Sequence, residues 1–406
     1  MRCGLLGEHL THSYSPQIHA LLGDYSYELF EVTPERLGEF LRSGCFDGLN
    51  VTIPYKKAVI PYCSGLSEAA KALGSVNTIL RRPDGSLYGD NTDVDGFRWM
   101  LSLGGGVRPG EKALVLGSGG ASQTVQAVLR AAGAEVTVLS RQGENRYSTL
   151  PEHKDARLVV NATPVGMYPK NGERLIDLSV LPDCRCVLDL IYNPARTRLL
   201  LDAEARGIRC INGLSMLVAQ AKRAAELFLN TNIDDRKNDE IYETLSRQMK
   251  NIVLVGMPGC GKSTVGKALA KRLSRPFFDA DQEIVKRAGK SIPEIFQTEG
   301  EAGFRKIETE VLFDLCRQSG AVIATGGGAV TVPQNHDILR QNSLVVFLNR
   351  DIAVLPTNGR PLSEQNDLHE MFRQRLPLYR AVCDYEVDGN SEIQTVTDRV
   401  AEVYAK

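Results

Sequence analysis

No stretch of this sequence stays apolar for the roughly 18 to 20 residues that a membrane helix needs, and its opening, MRCGLLGE, lacks a signal-peptide core. Neither sign of charge dominates, since 48 basic residues face 49 acidic ones for a net charge of -1. That balance leaves no electrostatic footprint for nucleic acid or an anionic membrane. The expected partners are small molecules or proteins in the cytoplasm, and self-association stays open. A disulfide framework is also missing, because nine cysteines scattered through a long chain do not resemble the pattern of a small secreted domain. Reduced thiols are expected. Cys184 and Cys186 form a C-x-C with no second pair nearby, and His9 and His12 lack further ligands, so no zinc site is expected. Internal repeats and low-complexity segments are absent as well.

What is present is an alternation. At 406 residues the chain is too long for one ordinary core, and about 150 residues per domain predicts two or three. Short β-branched runs at 112–117, 135–139, 157–160 and 186–190 alternate with helical stretches, the pattern of a parallel, doubly wound sheet. The rhythm restarts at 251–255 and returns at 321–324 and 343–348, which marks a second α/β domain. Between them, residues 230–235 suggest a turn, and 236–250 an amphipathic helix with Ile241, Leu245 and Met249 at helical spacing. The boundary is expected near Lys250, with no flexible linker.

Residues 256–264, GMPGCGKST, fit G-x-x-x-x-G-K-[ST] after an apolar strand and before a helix beginning near Lys262. Backbone N–H groups of Gly259, Cys260, Gly261 and Thr264 are suited to wrapping phosphate oxygens, Lys262 to reaching the β- and γ-phosphates, and Ser263 to supplying an oxygen to Mg2+. That much says only nucleotide. Downstream lie Asp279 and Asp281, Arg305 and Glu308, the run Gly326, Gly327 and Gly328, then Arg360 in a GRPL segment and Arg375 in RLPLY. In this order and spacing the set resembles shikimate kinase over essentially all of 250–406. The resemblance implies that Asp279 helps hold Mg2+ through water, that Asp281 grips the acceptor hydroxyls and takes the proton of the attacking one, and that Arg305 and Arg375 clamp the substrate carboxylate. It further implies that Glu308 orients Arg305 or the substrate, that the three glycines let backbone approach the ring, and that Arg360 rides a lid over ATP. The stretch 351–359 is short and carries no second arginine, a departure from many members.

In the first domain, residues 114–121, LVLGSGGA, run from a strand into a glycine-rich turn suited to a pyrophosphate, with Gly117, Ser118, Gly119, Gly120 and Ala121 as its contacts. The next strand ends in Ser140 and Arg141, where an NAD site usually places an acid. A basic group there favours the 2′-phosphate of NADP, with Arg146 assisting. Ahead of this fold stand HSYSP with Ser13 and Ser15, NVTIPYK with Thr52 and Lys56, SVNT with Asn77, and DNTD with Asp93; after it come NATPVGM, DLIYNP with Ile191 and Tyr192, and NGLSMLVAQ with Gly213 and Gln220.

Together these motifs resemble shikimate dehydrogenase from Met1 to about Gln248. A ketone accepting hydride develops negative charge on oxygen, so a lysine beside an aspartate can hydrogen-bond that oxygen and move a proton; Lys56 and Asp93 are that pair. The resemblance implies Ser13 and Ser15 at the substrate carboxylate, Thr52, Asn77, Tyr192 and Gln220 on its hydroxyls and carboxylate, and Ile191 and Gly213 at the cofactor. Ser140, Arg141 and Gln142 stand where Asn-Arg-Thr is usual, and Pro164 where Ser is common.

The expected architecture is a shikimate dehydrogenase at 1–249 fused to a P-loop, nucleoside-monophosphate-kinase-like α/β domain at 250–406. The dehydrogenase part divides into an α/β substrate lobe, 1–97 plus 213–249, and a Rossmann NADP lobe, 98–212. The fusion implies reduction of 3-dehydroshikimate with NADPH, then phosphorylation of shikimate with Mg-ATP. A non-catalytic sensor of pathway compounds built on the same folds, and a quinate or broad-specificity dehydrogenase, stand as alternatives.

Overall fold

The computed structural model describes residues 1–10, 13–142, 145–355 and 367–405. The chain forms two compact units, one of Met1–Tyr192 with Asp202–Leu245 and the other of Asn193–Leu201 with Ser246–Lys406. No helix among the described residues is long and apolar enough to cross a membrane.

The first unit contains two sheets. One joins β1 (Arg2–Gly7), β2 (Ser26–Glu31), β3 (Gly48–Val51), β4 (Gly65–Leu66), β5 (Thr78–Arg81) and β6 (Leu87–Asp90) in the order β2-β1-β3-β5-β6-β4. β1 runs parallel to β2 and β3, whereas β5 is antiparallel to β3 and to β6. The antiparallel hairpin had a local signal in Pro83-Asp84-Gly85, where Gly85 takes φ 83° and closes the turn between Arg82 and Ser86.

The other sheet joins β7 (Lys112–Leu116), β8 (Glu135–Leu139), β9 (Leu158–Asn161), β10 (Cys186–Asp189) and β11 (Arg209–Asn212) in the order β11-β10-β9-β7-β8, all parallel. Leu114, Val115, Val159, Val160, Val187 and Leu188 are buried, which is why these strands appear in the sequence as continuous apolar runs rather than alternating ones. The glycine-rich turn follows β7, the strand where the order reverses, and ligands bind beyond the carboxyl ends of strands at such points.

Two helices lock the face that carries Asp93 and Gln220. Asp93–Leu103 packs on Leu214–Leu229 at Gly96, where an added Cβ would stand 2.6 Å from the Met216 carbonyl oxygen. Phe97 and Met100 are fully buried beside this contact, and each stabilises the fold by roughly 1.5–3 kcal/mol. The close approach carries Asp93, the first residue of one helix, toward Gln220 on the other.

His19 is buried in the helix Ser15–Ala20, stacked 3.9 Å from the Tyr27 ring with its Nδ1 2.5 Å from the Tyr25 hydroxyl. Its Nε2 has no hydrogen-bond partner among the described residues, and burial pushes its pKa down to about 3. The unfolded chain protonates this ring near the ordinary value of about 6.5. Stability from keeping it neutral is therefore complete above pH ~6.5 and lost as pH falls toward about 3. Each unit of that fall costs about 1.4 kcal/mol. Urea unfolding of wild type and His19→Gln between pH 4.5 and 7.5 is expected to give a flatter pH dependence for the variant by close to one proton; parallel curves contradict the assignment.

The second unit is built on β12 (Asn251–Val255), β13 (Phe277–Asp279), β14 (Val322–Ala324), β15 (Ser343–Asn349) and β16 (Tyr385–Asp388), in the order β13-β14-β12-β15-β16, all parallel. β12 is buried throughout, and the phosphate-binding motif leaves its carboxyl end where the order reverses. Lys262 opens the helix Lys262–Leu273, and the stretch expected to be helical over 236–250 is the helix Arg236–Met249.

Candidate active sites

In the first unit a cavity of about 530 Å3 gathers Ser13, Ser15, Thr52, Lys56, Asn77, Asp93, Tyr192, Gly213 and Gln220, with Ala121 on its rim. Residues far apart in sequence thus share one wall. The Lys56 ammonium lies 2.6 Å from Asp93 Oδ2, with the two side chains 31% and 15% exposed, so the pair is sheltered yet open to a ligand. Asp93 Oδ1 accepts from Asn77 Nδ2 at 2.9 Å, while Asn77 Oδ1 accepts from the Thr92 N–H at 2.7 Å. The asparagine is thereby oriented, and it orients the aspartate. Ser13 Oγ accepts from the Ser15 N–H at 3.2 Å, and Gln220 spends one amide hydrogen on the Leu217 carbonyl at 2.9 Å, leaving its amide oxygen available. Tyr192 packs edge-on against Tyr14, and burial raises its pKa.

His9, Leu10, Asn50, Met216 and Leu217 also line this cavity, and sequence reasoning had not placed them there. Asn50 is buried and accepts a hydrogen bond from the Tyr27 hydroxyl at 2.7 Å. Its place in NVT beside Thr52 was the only available signal. His9 lay in plain view and was weighed only as a metal ligand.

The dinucleotide turn is bare where a phosphate would lie. Gly117 has φ 100° and an added Cβ there would stand 2.5 Å from Thr163 Cγ2, while Cβ atoms on Gly119 and Gly120 would meet nothing within 4 Å. Ser118, Gly119, Gly120 and Ala121 are exposed at the start of the helix Gly120–Ala131, so backbone donors and open space coincide, as a pyrophosphate requires. Ser140 and Arg146 form a parallel bridge at the end of β8, which brings the exposed Arg141 and Arg146 to one loop; the Ser140 hydroxyl is bound to the Gln142 carbonyl. Gly213, at the exit of β11, approaches the exit of the neighbouring β10 so closely that a Cβ would stand 2.0 Å from the Leu190 carbonyl oxygen. Its N–H donates to the Ile191 carbonyl at 3.0 Å, and Ile191 is itself buried.

In the second unit a cavity of about 490 Å3 collects Gly259, Gly261, Lys262, Ser263, Thr264, Asp281, Arg305, Glu308, Gly326, Gly327, Gly328 and Arg375. Ser263 Oγ donates to Asp279 Oδ2 at 2.5 Å, so the two oxygens expected to serve Mg2+ are side by side. Lys262 Nζ donates to the carbonyls of Gly256 and Met257, each at 2.9 Å. Cys260 is buried in the core, which leaves its backbone as the part able to serve a phosphate.

Arg305 Nη1 donates to Glu308 Oε2 at 2.7 Å. Glu308 is fully buried, and burial outweighs the neighbouring Arg305 to raise its pKa. Its Oε1 has no partner among the described residues and lies 2.6 Å from where a Cβ on Gly326 would stand. On Gly327 a Cβ would stand 2.5 Å from Pro258, and on Gly328 2.3 Å from Arg305 Nη2. Gly327 is thus enforced by the ring and backbone of Pro258, while Gly326 and Gly328 leave room for the carboxylate and guanidinium ends of Glu308 and Arg305. Ile292, Pro293, Phe296 and Arg350 line the cavity without having been singled out from the sequence, and Pro258, Phe304 and Thr325 join them from within the quoted motifs. Arg360 lies outside the described residues.

Residues 258–405 match the family model described as shikimate kinase, and residues 5–79 the model described as shikimate dehydrogenase substrate binding domain. A shikimate dehydrogenase (NADP(+)) of Clostridium beijerinckii is 34% identical over 267 residues, covering 61% of this chain and 98% of that protein. A chorismate mutase/shikimate 5-dehydrogenase fusion protein from Clostridium acetobutylicum superposes with a TM-score of 0.57 at 39% identity, covering 60% of this chain and 96% of that one. Shikimate 5-dehydrogenase from Thermus thermophilus, solved with NADP(H) and shikimate, gives 0.55 at 34% identity, covering 60% and 99%.

Proposed function

Since the chain belongs to the shikimate dehydrogenase family and residues 258–405 match shikimate kinase, we propose that it catalyses two consecutive steps, NADPH-dependent reduction of 3-dehydroshikimate to shikimate and Mg-ATP-dependent phosphorylation of shikimate to shikimate 3-phosphate. The observation that carries this reading is that each unit has one cavity in which the groups its own chemistry needs converge: Lys56, Asp93 and Asn77 in one, and Lys262, Ser263, Asp281, Arg305 and Glu308 in the other.

In the first cavity Ser13 and Ser15 take the substrate carboxylate, and Thr52, Asn77, Tyr192 and Gln220 share its hydroxyls and carboxylate. NADPH, when bound, supplies the hydride. Lys56 donates a hydrogen bond to the ketone oxygen and delivers a proton as negative charge grows there, while Asp93 holds the ammonium in place. The turn from Gly117 through Ser118, Gly119 and Gly120 to Ala121 receives the pyrophosphate, Arg141 and Arg146 with Ser140 the 2′-phosphate, and Ile191 and Gly213 border the nicotinamide.

In the second cavity Arg305 and Arg375 grip the carboxylate of shikimate, and Glu308 fixes Arg305 while its open oxygen awaits a hydroxyl donor. Asp281 takes the proton from the attacking hydroxyl, which forms a bond to the γ-phosphorus as ADP leaves. Gly259, Cys260, Gly261 and Thr264 offer backbone N–H groups to the phosphates, Lys262 turns from its two carbonyls to them, and Ser263 and Asp279 would hold Mg2+. Both steps act on small molecules, and the site of action is the cytoplasm.

The test is a coupled assay on the purified protein with 3-dehydroshikimate, NADPH and Mg-ATP. One NADPH consumed and one ADP formed per shikimate 3-phosphate is the expected stoichiometry. NADPH consumption with no ADP removes the second activity, and failure of both removes the proposal.

A further inference from the structure

The cations of the second cavity differ in how their charge is balanced. Arg305 is paired with Glu308 and Glu301. Lys262 and Arg350, at the P-loop end, have no such acidic partner among the described residues. Lys262 rests on two carbonyls, and Arg350 Nε is shielded from solvent with no hydrogen-bond partner among the described residues. The acid next to it, Asp351, is engaged elsewhere, accepting from the Ala353 N–H at 3.0 Å.

The fold places Arg350 there. β15 is the neighbour of β12 across the point where strand order reverses, with Phe347 opposite Val255, so the chain leaves β15 beside the phosphate-binding turn. Arg350 Nη1 lies 4.0 Å from where a Cβ on Gly261 would stand, and Gly261, with φ 103°, caps the helix Lys262–Leu273. A helix amino end carries partial positive charge, and a guanidinium beside it is favourable only when an anion sits between them. The backbone on both sides of Arg350 is pinned, since Gly389 N–H donates to the Asn349 carbonyl at 2.7 Å and Asp351 N–H to Asn390 Oδ1 at 2.9 Å. The charge is thus carried by a rigid strand end, while the following stretch 351–359 has no arginine.

We propose that Arg350 is a nucleotide-binding residue that holds phosphate oxygens of ATP from the β15 side while Lys262 and the P-loop hold them from the other. This rests on the ATP-dependent step argued above. Because the planar guanidinium offers paired donors to phosphate oxygens, its removal weakens polyphosphate binding, and a lysine at the same position restores only the charge.

The experiment uses the full chain as wild type, Arg350→Ala and Arg350→Lys, with calorimetric titration of ADP, steady-state kinetics of both activities, and thermal midpoints without nucleotide. For Arg350→Ala, ADP affinity and the KM for ATP are expected to weaken about 10- to 100-fold, with part of the loss recovered in Arg350→Lys. The KM for shikimate, the dehydrogenase activity and the thermal midpoint are expected to stay at wild-type values. ADP binding by Arg350→Ala equal to wild type overturns the proposal. So does a parallel loss of ADP affinity, shikimate KM and thermal midpoint in both variants, which marks a purely structural arginine. If wild type binds ADP but phosphorylates no shikimate, the kinase reading fails, and the ADP titration still decides the role of Arg350.

Discussion

Lys56→Ala is expected to lower kcat for 3-dehydroshikimate reduction about 100- to 10,000-fold, with the kinase activity of the same molecules unchanged. The substitution removes the donor proposed to meet the ketone oxygen and leaves its surroundings in place, because Asp93 keeps its bond from Asn77 Nδ2 at 2.9 Å. The Lys56 side chain is 31% exposed, so losing the pair costs little stability, on the order of 1 kcal/mol or less. The drop in rate therefore reports chemistry rather than unfolding, and phosphorylation of added shikimate serves as the internal check. An interaction made only in the transition state lowers kcat and kcat/KM together, so the KM for 3-dehydroshikimate should move little. Added methylamine, which restores an ammonium to the vacated space, should recover part of the rate. Asp93→Asn keeps the lysine and should lose less than Lys56→Ala. Activity of Lys56→Ala within fivefold of wild type would remove the lysine from the proton-transfer role.

The ease with which the two sites could be found in the sequence follows from how each is built. Phosphate binding needs consecutive backbone N–H groups after a buried strand, so Gly256 to Thr264 and Gly117 to Ala121 appear as contiguous strings with an apolar run in front. The buried parallel strands of the second and third sheets were equally plain, as where the run expected at 186–190 is β10, Cys186–Asp189, whereas the more exposed edge strands β11, β13 and β16 were not read from the sequence. Ser13, Thr52, Lys56, Asn77, Asp93, Tyr192 and Gln220 converge through crossover connections and a helix packing that depends on Gly96, and nothing local announces that convergence. They were legible as family motifs only. Asn50 and Met216 carry no chemical signature beyond their neighbours and emerge only when the cavity is seen. Arg350 looks like any arginine after a strand until the β12–β15 register sets it beside Gly261.

Asp281→Asn is expected to lower kcat for shikimate phosphorylation about a hundredfold or more, with ADP binding and the dehydrogenase activity unaffected. The geometry separates the two carboxylates that meet at Gly326, where an added Cβ would stand 2.6 Å from Glu308 Oε1 and 3.0 Å from Asp281 Oδ1. Glu308 is fully buried and tied to Arg305, so its proposed work is to hold the cation that in turn takes the substrate carboxylate. Asp281 is less buried, at the start of the helix Ala280–Ala288, with its N–H bound to Asp279 Oδ1 at 3.1 Å. Its backbone is fixed while its carboxylate faces the cavity, as a group that receives a proton must be. Asparagine preserves size and one acceptor but cannot take that proton, so binding should survive while transfer fails. Phosphoryl transfer draws most of its acceleration from positioning and charge stabilisation, which leaves a residual rate for the variant above background. The decisive reading is the split between constants: a raised KM for shikimate at unchanged kcat would show that Asp281 grips hydroxyls without moving a proton, whereas a lowered kcat at near-constant KM assigns it the proton.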